Sequence, residues 1–241
     1  MVKIQSFLKF LFPKLCLFCS KIIHEKEGLA CSSCVLKLPL IRSPFCKRCG
    51  QPLPSSLFQK NIKNPIVCSA CRTRKFPFSA SRSVMAYDED TAKLILKLKY
   101  GDRGDLAIIF AELSMLYHKD LFEDTDFIIP VPLSLKRLLF RKYNQSALIG
   151  KHLSKLTDLP MLTNVLKRKK FRVSQGGLSF EKRFENVKDS FFISKKEKIQ
   201  DKKILLVDDV IASGATILQC VKTIKKAGAK EVRILSIART I

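Results

Sequence analysis

The sequence predicts an α/β fold: a mostly parallel sheet flanked by helices, preceded by a small cysteine-rich module. Three observations carry that expectation. From residue 83 onward, short apolar runs alternate with amphipathic stretches of helical period, the pattern of parallel strands joined by helical crossovers. Two of the runs, 127–131 and 204–207, are apolar throughout, as strands buried on both faces are. Ahead of them, eight of the nine cysteines fall into four Cys-x-x-Cys pairs.

The pairs are Cys16/Cys19, Cys31/Cys34, Cys46/Cys49 and Cys68/Cys71. One such pair brings two thiolates to a metal from a single tight turn, and a second pair completes a tetrahedron. Two structural Zn2+ sites, each of four cysteines, are therefore expected, closed and without an open position for catalysis. Consecutive pairing, first with second and third with fourth, is the default, although spacing leaves crossed and nested pairing open. Gly50 frees the turn after Cys49, and His24 reads as a surface residue rather than a ligand. Residues 1–78 form this module, with 52–56 as an internal loop. Lys47, Arg48, Arg72, Arg74 and Lys75 surround its second half, interleaved with Phe45, Phe76 and Phe78. Aromatic rings among cations suit stacking on single-stranded bases, and they suit docking onto the rest of the chain equally well.

Residues 79–241 form the α/β domain. Its first strand is 83–87. A helix over 91–100 turns Leu94, Ile95 and Leu98 inward and stops at Gly101. A second helix spans 105–118, the strand 127–131 follows, and a helix covers 144–155. Strand 204–207 leads to a helix over 216–227, ended by Gly228, and 232–238 is the last strand. Cys220 shares a helix face with Ile217, Val221 and Ile224 and reads as a core residue. The least regular stretch is 167–190, basic and carrying Arg172, Gln175-Gly176-Gly177, Lys182, Arg183 and Asn186.

The most informative run is 204–217. An apolar strand delivers two adjacent carboxylates, Asp208 and Asp209, and the loop Ala212-Ser213-Gly214-Ala215-Thr216 then opens a helix. A helix N-terminus presents unpaired N–H groups and the positive end of the dipole, which suits a phosphate. Ser213 and Thr216 add hydroxyls, and Gly214 lets the backbone approach an anion. The carboxylates then face sugar hydroxyls beside that phosphate. No Gly-Lys-Ser/Thr follows, so this is not a Walker A loop, and the glycine spacing is not that of a dinucleotide fingerprint. An ordinary strand–turn–helix with a capped acidic turn is the competing reading.

The run resembles the binding motif for 5-phosphoribosyl-1-pyrophosphate (PRPP) of type I phosphoribosyltransferases. The resemblance implies that Asp208 and Asp209 take the ribose hydroxyls and that Ala212, Ser213, Gly214, Ala215 and Thr216 hold the 5′-phosphate, with Mg2+ arriving on PRPP. Other stretches narrow the resemblance: Leu96-Lys97-Leu98-Lys99-Tyr100-Gly101, Pro130-Val131-Pro132, Arg141-Lys142-Tyr143-Asn144-Gln145, and the pattern Gln175, Leu178, Arg183, Asn186. With the four cysteine pairs, they resemble the ComF/GntX family of late-competence proteins, a double zinc ribbon joined to a type I phosphoribosyltransferase-like domain. Lys142-Tyr143 stands where that family has Gly-Phe, which matters if the backbone there needs positive φ. By resemblance 167–190 is a lid over PRPP, and Arg183 joins Asp208 and Asp209 in the catalytic set. Lys136, Arg137, Arg141 and the backbone of 132–134 are further pyrophosphate candidates. The resemblance also implies a cytoplasmic protein with zinc rather than disulfides, acting in DNA uptake for natural transformation. Single-stranded DNA and a helicase-like competence ATPase are the partners it implies.

The net charge of +24 points to an anionic partner, whether nucleic acid, acidic protein or anionic membrane. Solubility alone is the competing explanation. Lys and Arg crowd into 136–142, 167–172 and 195–203. No segment is long enough to span a bilayer. Residues 1–15 are apolar and basic without a signal-peptide cleavage site, which fits a short packing helix or a peripheral membrane contact. Three function classes follow: an active phosphoribosyltransferase, a ribose-phosphate-binding DNA-handling protein, and a zinc-ribbon adaptor with an inactive pocket. The second is the reading adopted. The sequence shows no acceptor-binding motif for the first, and intact Asp208, Asp209, Gly214 and Thr216 weigh against the third.

Overall fold

The computed structural model describes residues 13–23, 28–54, 56, 66–169 and 190–241. The candidate lid, 167–190, falls mostly outside them, as do Arg183, His24 and residues 1–12.

The cysteine module is built as a repeat. In each half a knuckle is pinned by an isolated bridge, Leu15 to Ile22 and then Phe45 to Pro52. Cys16 N–H donates to Lys21 O, and Cys46 N–H to Gln51 O, both at 2.8 Å. The residue after each knuckle, Ser20 or Gly50, is left-handed, with φ of 61° and 72°. A five-residue helix completes each half, α1 (Ser32–Leu36) and α2 (Ser69–Thr73), with Cys31 or Cys68 at its N-cap.

The main domain contains β1 (Ala80–Ala86), α3 (Glu89–Tyr100), α4 (Leu106–Tyr117), β2 (Phe127–Pro130), α5 (Leu135–Arg141), α6 (Gln145–Thr157), β3 (Leu166–Arg168), β4 (Phe191–Ile193), β5 (Lys203–Ile211), α7 (Ala215–Lys226) and β6 (Glu231–Arg239). Caps fix the helix starts. Asp88 accepts from Thr91 N–H, and Asn144 accepts from the N–H groups of Ser146 and Ala147. Four strands form one parallel sheet in the order β1-β6-β5-β2. Its strands bury alternate residues on two faces. Ile128, Leu205, Val207 and Leu235 meet α3, α4 and α6 on one side. Ile129, Leu206 and Ile234 meet α7 and the β3–β4 hairpin on the other. Double burial accounts for the unbroken apolar runs. Cys220 lies in the second cluster with Ile217, Val221 and Ile224.

Two elements were not legible in the sequence. Helix α5 is seven residues long with no buried residue, too short for a periodicity to register. The antiparallel β3–β4 pair joins three-residue strands separated by a long stretch of chain, without a local hairpin signal.

Both edges of the sheet are covered. Beside β2, Ile128 exchanges hydrogen bonds with Pro160 and Leu162. Beside β1 lies the cysteine module: Ile41 N–H donates to Val84 O, Ala86 N–H to Pro39 O and Ser81 N–H to Arg48 O. Arg82, buried in β1, donates to Lys47 O at 2.8 Å and to Asp120 at 3.0 Å. Arg239, at the end of β6, donates to Cys49 O. Gly50 sits so close that a Cβ there would lie 2.4 Å from Ser81 O. Cys16, Phe18 and Ile23 share a hydrophobic cluster with α4. The module thus closes a strand edge that would otherwise invite pairing with another chain.

Candidate functional sites: two cysteine clusters and a ribose-phosphate cleft

Cys16, Cys19, Cys31 and Cys34 form one cluster and Cys46, Cys49, Cys68 and Cys71 the other, with the sulfurs of each within 4.8 Å of one another. This is the consecutive pairing. Cys19 and Cys31 Sγ are 3.8 Å apart and Cys49 and Cys68 Sγ 3.7 Å. A tetrahedron with metal–sulfur bonds of about 2.3 Å has edges of about 3.8 Å, whereas a disulfide is far shorter. Backbone N–H groups also point at the sulfurs, Cys31 at Cys16 and Cys68 at Cys46. Burial opposes ionisation of Cys46, but the N–H groups of Cys49, Cys68 and Arg48 bring its thiol down to about 6. Two clusters of four cysteines with this spacing fit two zinc ions.

The three phenylalanines weighed for base stacking are engaged inside the protein. Phe45 packs edge-on against His118 and lies under Arg82. Phe76 stacks on Phe78, which is buried in the core. Docking is what these rings do, and any nucleic-acid contact at the module falls to its cations.

A cleft of about 260 Å3 opens at the carboxyl end of the sheet, lined by Lys99, residues 131–133, Arg137, Arg141, Arg168 and all of 208–217. Open parallel sheets bind ligands at this end. The structure brings together Asp208, Asp209, Ala212, Ser213, Gly214, Ala215 and Thr216. It refines their setting, because β5 runs on through both aspartates to Ile211, paired with β6 as far as Arg239. The acids are therefore held on a strand rather than a turn. Gly214 then adopts φ of 75° and caps α7. A Cβ at Gly214 would meet nothing within 4 Å, so its conformation, not space, calls for glycine. Thr240 ties the loop down from β6 through Ile211 O and Ala212 O.

The two carboxylates are held differently. Asp209 pairs with Lys99 at 3.0 Å. Asp208 Oδ1 accepts from Asp209 N–H at 2.9 Å and from Ser146 Oγ at 3.1 Å. Burial and the adjacent Asp209 charge nevertheless raise the Asp208 carboxyl to about 7. Opposite them, Arg168 lies across the Phe191 ring at 5.4 Å, and its buried Nε has no hydrogen-bond partner among the described residues. Burial and then the charge of Arg137 lower its pKa. A partly desolvated guanidinium beside a second cation suits an anion.

Of the other predicted residues, Arg137 and Arg141 line the cleft, Lys136 does not, and Arg183 lies outside the described residues. Sequence reasoning missed Lys99 as the partner of Asp209, Ser146 as the donor to Asp208, and Arg168 as a cleft wall. Arg168 left a trace in the basic run 167–172, and Lys99 in the stretch 96–101 quoted for the resemblance. The departure at Lys142 is resolved too: φ is 65°, so this lysine occupies the left-handed region where glycine rests without strain, paired with Asp102 at 2.9 Å.

Comparison with known proteins agrees with both halves of this picture. Residues 7–72 match the double zinc ribbon domain and residues 145–240 the phosphoribosyl transferase domain. Competence protein F of Haemophilus influenzae is 29% identical over 230 residues, spanning 93% of this chain and 96% of that protein. The DNA utilization protein YhgH of Escherichia coli K12 is 25% identical, spanning 95% and 98%. Competence protein ComFC of Streptococcus pneumoniae is 26% identical, spanning 90% and 91%. Among the described residues no helix is long and apolar enough to cross a membrane. Cysteine clusters, parallel sheet and near full-length similarity together make the chain a homologue of competence protein F and YhgH, with a double zinc ribbon ahead of a phosphoribosyltransferase-type domain.

Proposed function

We propose that the cleft binds PRPP or a related ribose phosphate, and that the protein uses this pocket while handling DNA during uptake, on the cytoplasmic side. The observation that carries the reading is one cleft holding two kinds of recognition. Asp208 and Asp209 offer acceptors for ribose 2′ and 3′ hydroxyls, while the N-terminus of α7, Ser213 and Thr216 offer donors to a 5′-phosphate. Arg168, Arg137 and Arg141 then suit the pyrophosphate. Magnesium would be held chiefly by pyrophosphate oxygens and water, neutralising that group. The two cysteine clusters hold zinc and keep the ribbon seated on β1. The names of the relatives, two competence proteins and a DNA utilization protein, support the biological half, as does the net charge of +24. Single-stranded DNA and a helicase-like ATPase are the partners this role implies.

An active phosphoribosyltransferase is the second reading, favoured by the cations gathered around the carboxylates. Pyrophosphate would leave the anomeric carbon as an acceptor attacks it. The two readings separate on incubation of the protein with Mg2+ and PRPP, with and without single-stranded DNA or free bases. The DNA-handling reading expects salt-sensitive DNA binding without pyrophosphate release. Stoichiometric or catalytic release with any acceptor would establish the transferase instead.

A further inference from the structure

The end of the sheet opposite the cleft is covered in lysine. The short 3-10 helix Lys196–Lys198 precedes β5 there, and α7 ends at Lys226, just ahead of β6. The backbone ties these two turns together. Asp201 N–H donates to Gly228 O and Lys230 N–H to Lys202 O, both at 2.9 Å. Residues 195–202 and 222–230 are thereby one surface, with eight lysines against two acids, Glu197 and Asp201, and no arginine. Such an excess in so few residues is a local feature rather than a share of the overall charge. Lys195, Lys196, Lys198, Lys202, Lys226 and Lys230 are all exposed.

The fold accounts for little of this charge. Lys225 closes the end of α7 by donating to Ala229 O at 2.9 Å and Lys230 O at 2.8 Å. Lys202 faces Asp126 at 3.9 Å. Lys195, Lys196, Lys198, Lys226 and Lys230 form no ion pair among the described residues. Like charges held this close repel one another until an anionic partner offsets them. The composition says which partner. No large apolar side chain is exposed in either stretch, so the surface has nothing to bury in lipid. Protein interfaces centre on aromatic and arginine anchors and are depleted in lysine, and neither stretch holds an aromatic residue or an arginine. Hydrated point charges spread over a surface suit a phosphate backbone, bound without regard to sequence.

We infer that this lysine surface, at the amino end of the parallel sheet, is where single-stranded DNA docks. Lys203 opens β5 and Asp208 lies five residues on, about 17 Å along the strand. DNA therefore lies across the far end of the sheet from the ribose-phosphate cleft, and the two ligands bind at the same time. The inference rests on the DNA-handling reading and gives it a place on the molecule.

Two charge-matched variants of the full-length zinc-loaded protein test it. One carries Lys196→Gln, Lys198→Gln, Lys226→Gln and Lys230→Gln. The other carries Lys37→Gln, Lys119→Gln, Lys151→Gln and Lys155→Gln, four exposed lysines away from this surface. Labelled oligothymidine of about twenty nucleotides is titrated by fluorescence anisotropy at several salt concentrations. The first variant loses at least tenfold in affinity at about 0.1 M salt, and its slope of log affinity against log salt flattens by about 3. The second keeps both within twofold. A version with only Lys198→Gln and Lys226→Gln loses in proportion, which covers the case in which four changes unfold the chain. Equal losses in the two fourfold variants would mean that overall charge, not this surface, binds DNA. Full affinity in the first variant would place the DNA elsewhere and leave the DNA-handling reading standing. No DNA binding by the unaltered protein overturns that reading and the surface together.

Discussion

Asp208 carries the sharpest consequence at the scale of single residues. Its carboxyl titrates near 7 in the fold and near 4 in an unfolded chain. The native state therefore holds a proton that the unfolded state has released. Stability from this group is fully present at about pH 4 and below, falls as pH rises to about 7, and is level above that. Asp208→Asn keeps an acceptor for Ser146 and for Asp209 N–H without the charge. Its melting temperature should match the unaltered protein near pH 4 and exceed it at pH 8, with PRPP binding lost; calorimetry across pH checks this. An equal melting temperature at pH 8 would mean that the buried charge carries no penalty. Asp208 and Asp209 were legible in the sequence because their chemistry lies in adjacent positions. Lys99, Ser146 and Arg168 were not, because distant elements deliver them and folding alone makes them neighbours.

At the scale of elements, the junction between α5 and α6 holds a strained residue. Lys142 has left-handed backbone, and its ion pair with Asp102 is exposed to water. Lys142→Gly should raise the melting temperature by about 2 °C, with the fold unchanged by circular dichroism. The apolar strands and the stops of α3 and α7, at Gly101 and Gly228, were readable from periodicity and helix-end chemistry. Helix α5 and the β3–β4 hairpin were not, being shorter than the windows in which a period can be recognised. The zinc ribbon is the opposite case, since ligand spacing is local and survives in the sequence. Its second site holds β1 and β6 through Arg48 O and Cys49 O. Cys46→Ser should halve the bound zinc, measured by plasma mass spectrometry, and lower the melting temperature of the whole chain. Loss of zinc with unchanged melting would show that the module does not stabilise the sheet edge.

At the scale of the molecule, the parallel sheet joins two candidate sites. Its carboxyl end carries the acid-and-cation cleft, and its β1 edge carries the ribbon. The charge of +24 is spread well beyond the cleft, so DNA affinity should fall steeply with salt. That affinity should be unaffected by Asp208→Asn when read by fluorescence anisotropy at several salt concentrations. Parallel loss of DNA and PRPP binding in that variant would mean a single shared site.

The proposed function turns on the cleft at the end of β5 being a ribose-phosphate pocket. Calorimetric titration of PRPP with Mg2+ into the zinc-loaded protein tests it most directly. Saturable binding of one PRPP per chain is expected, abolished in Asp208→Asn and weakened at least tenfold when Arg168 becomes Ala. No binding by the unaltered protein, or binding that both variants retain in full, would contradict it.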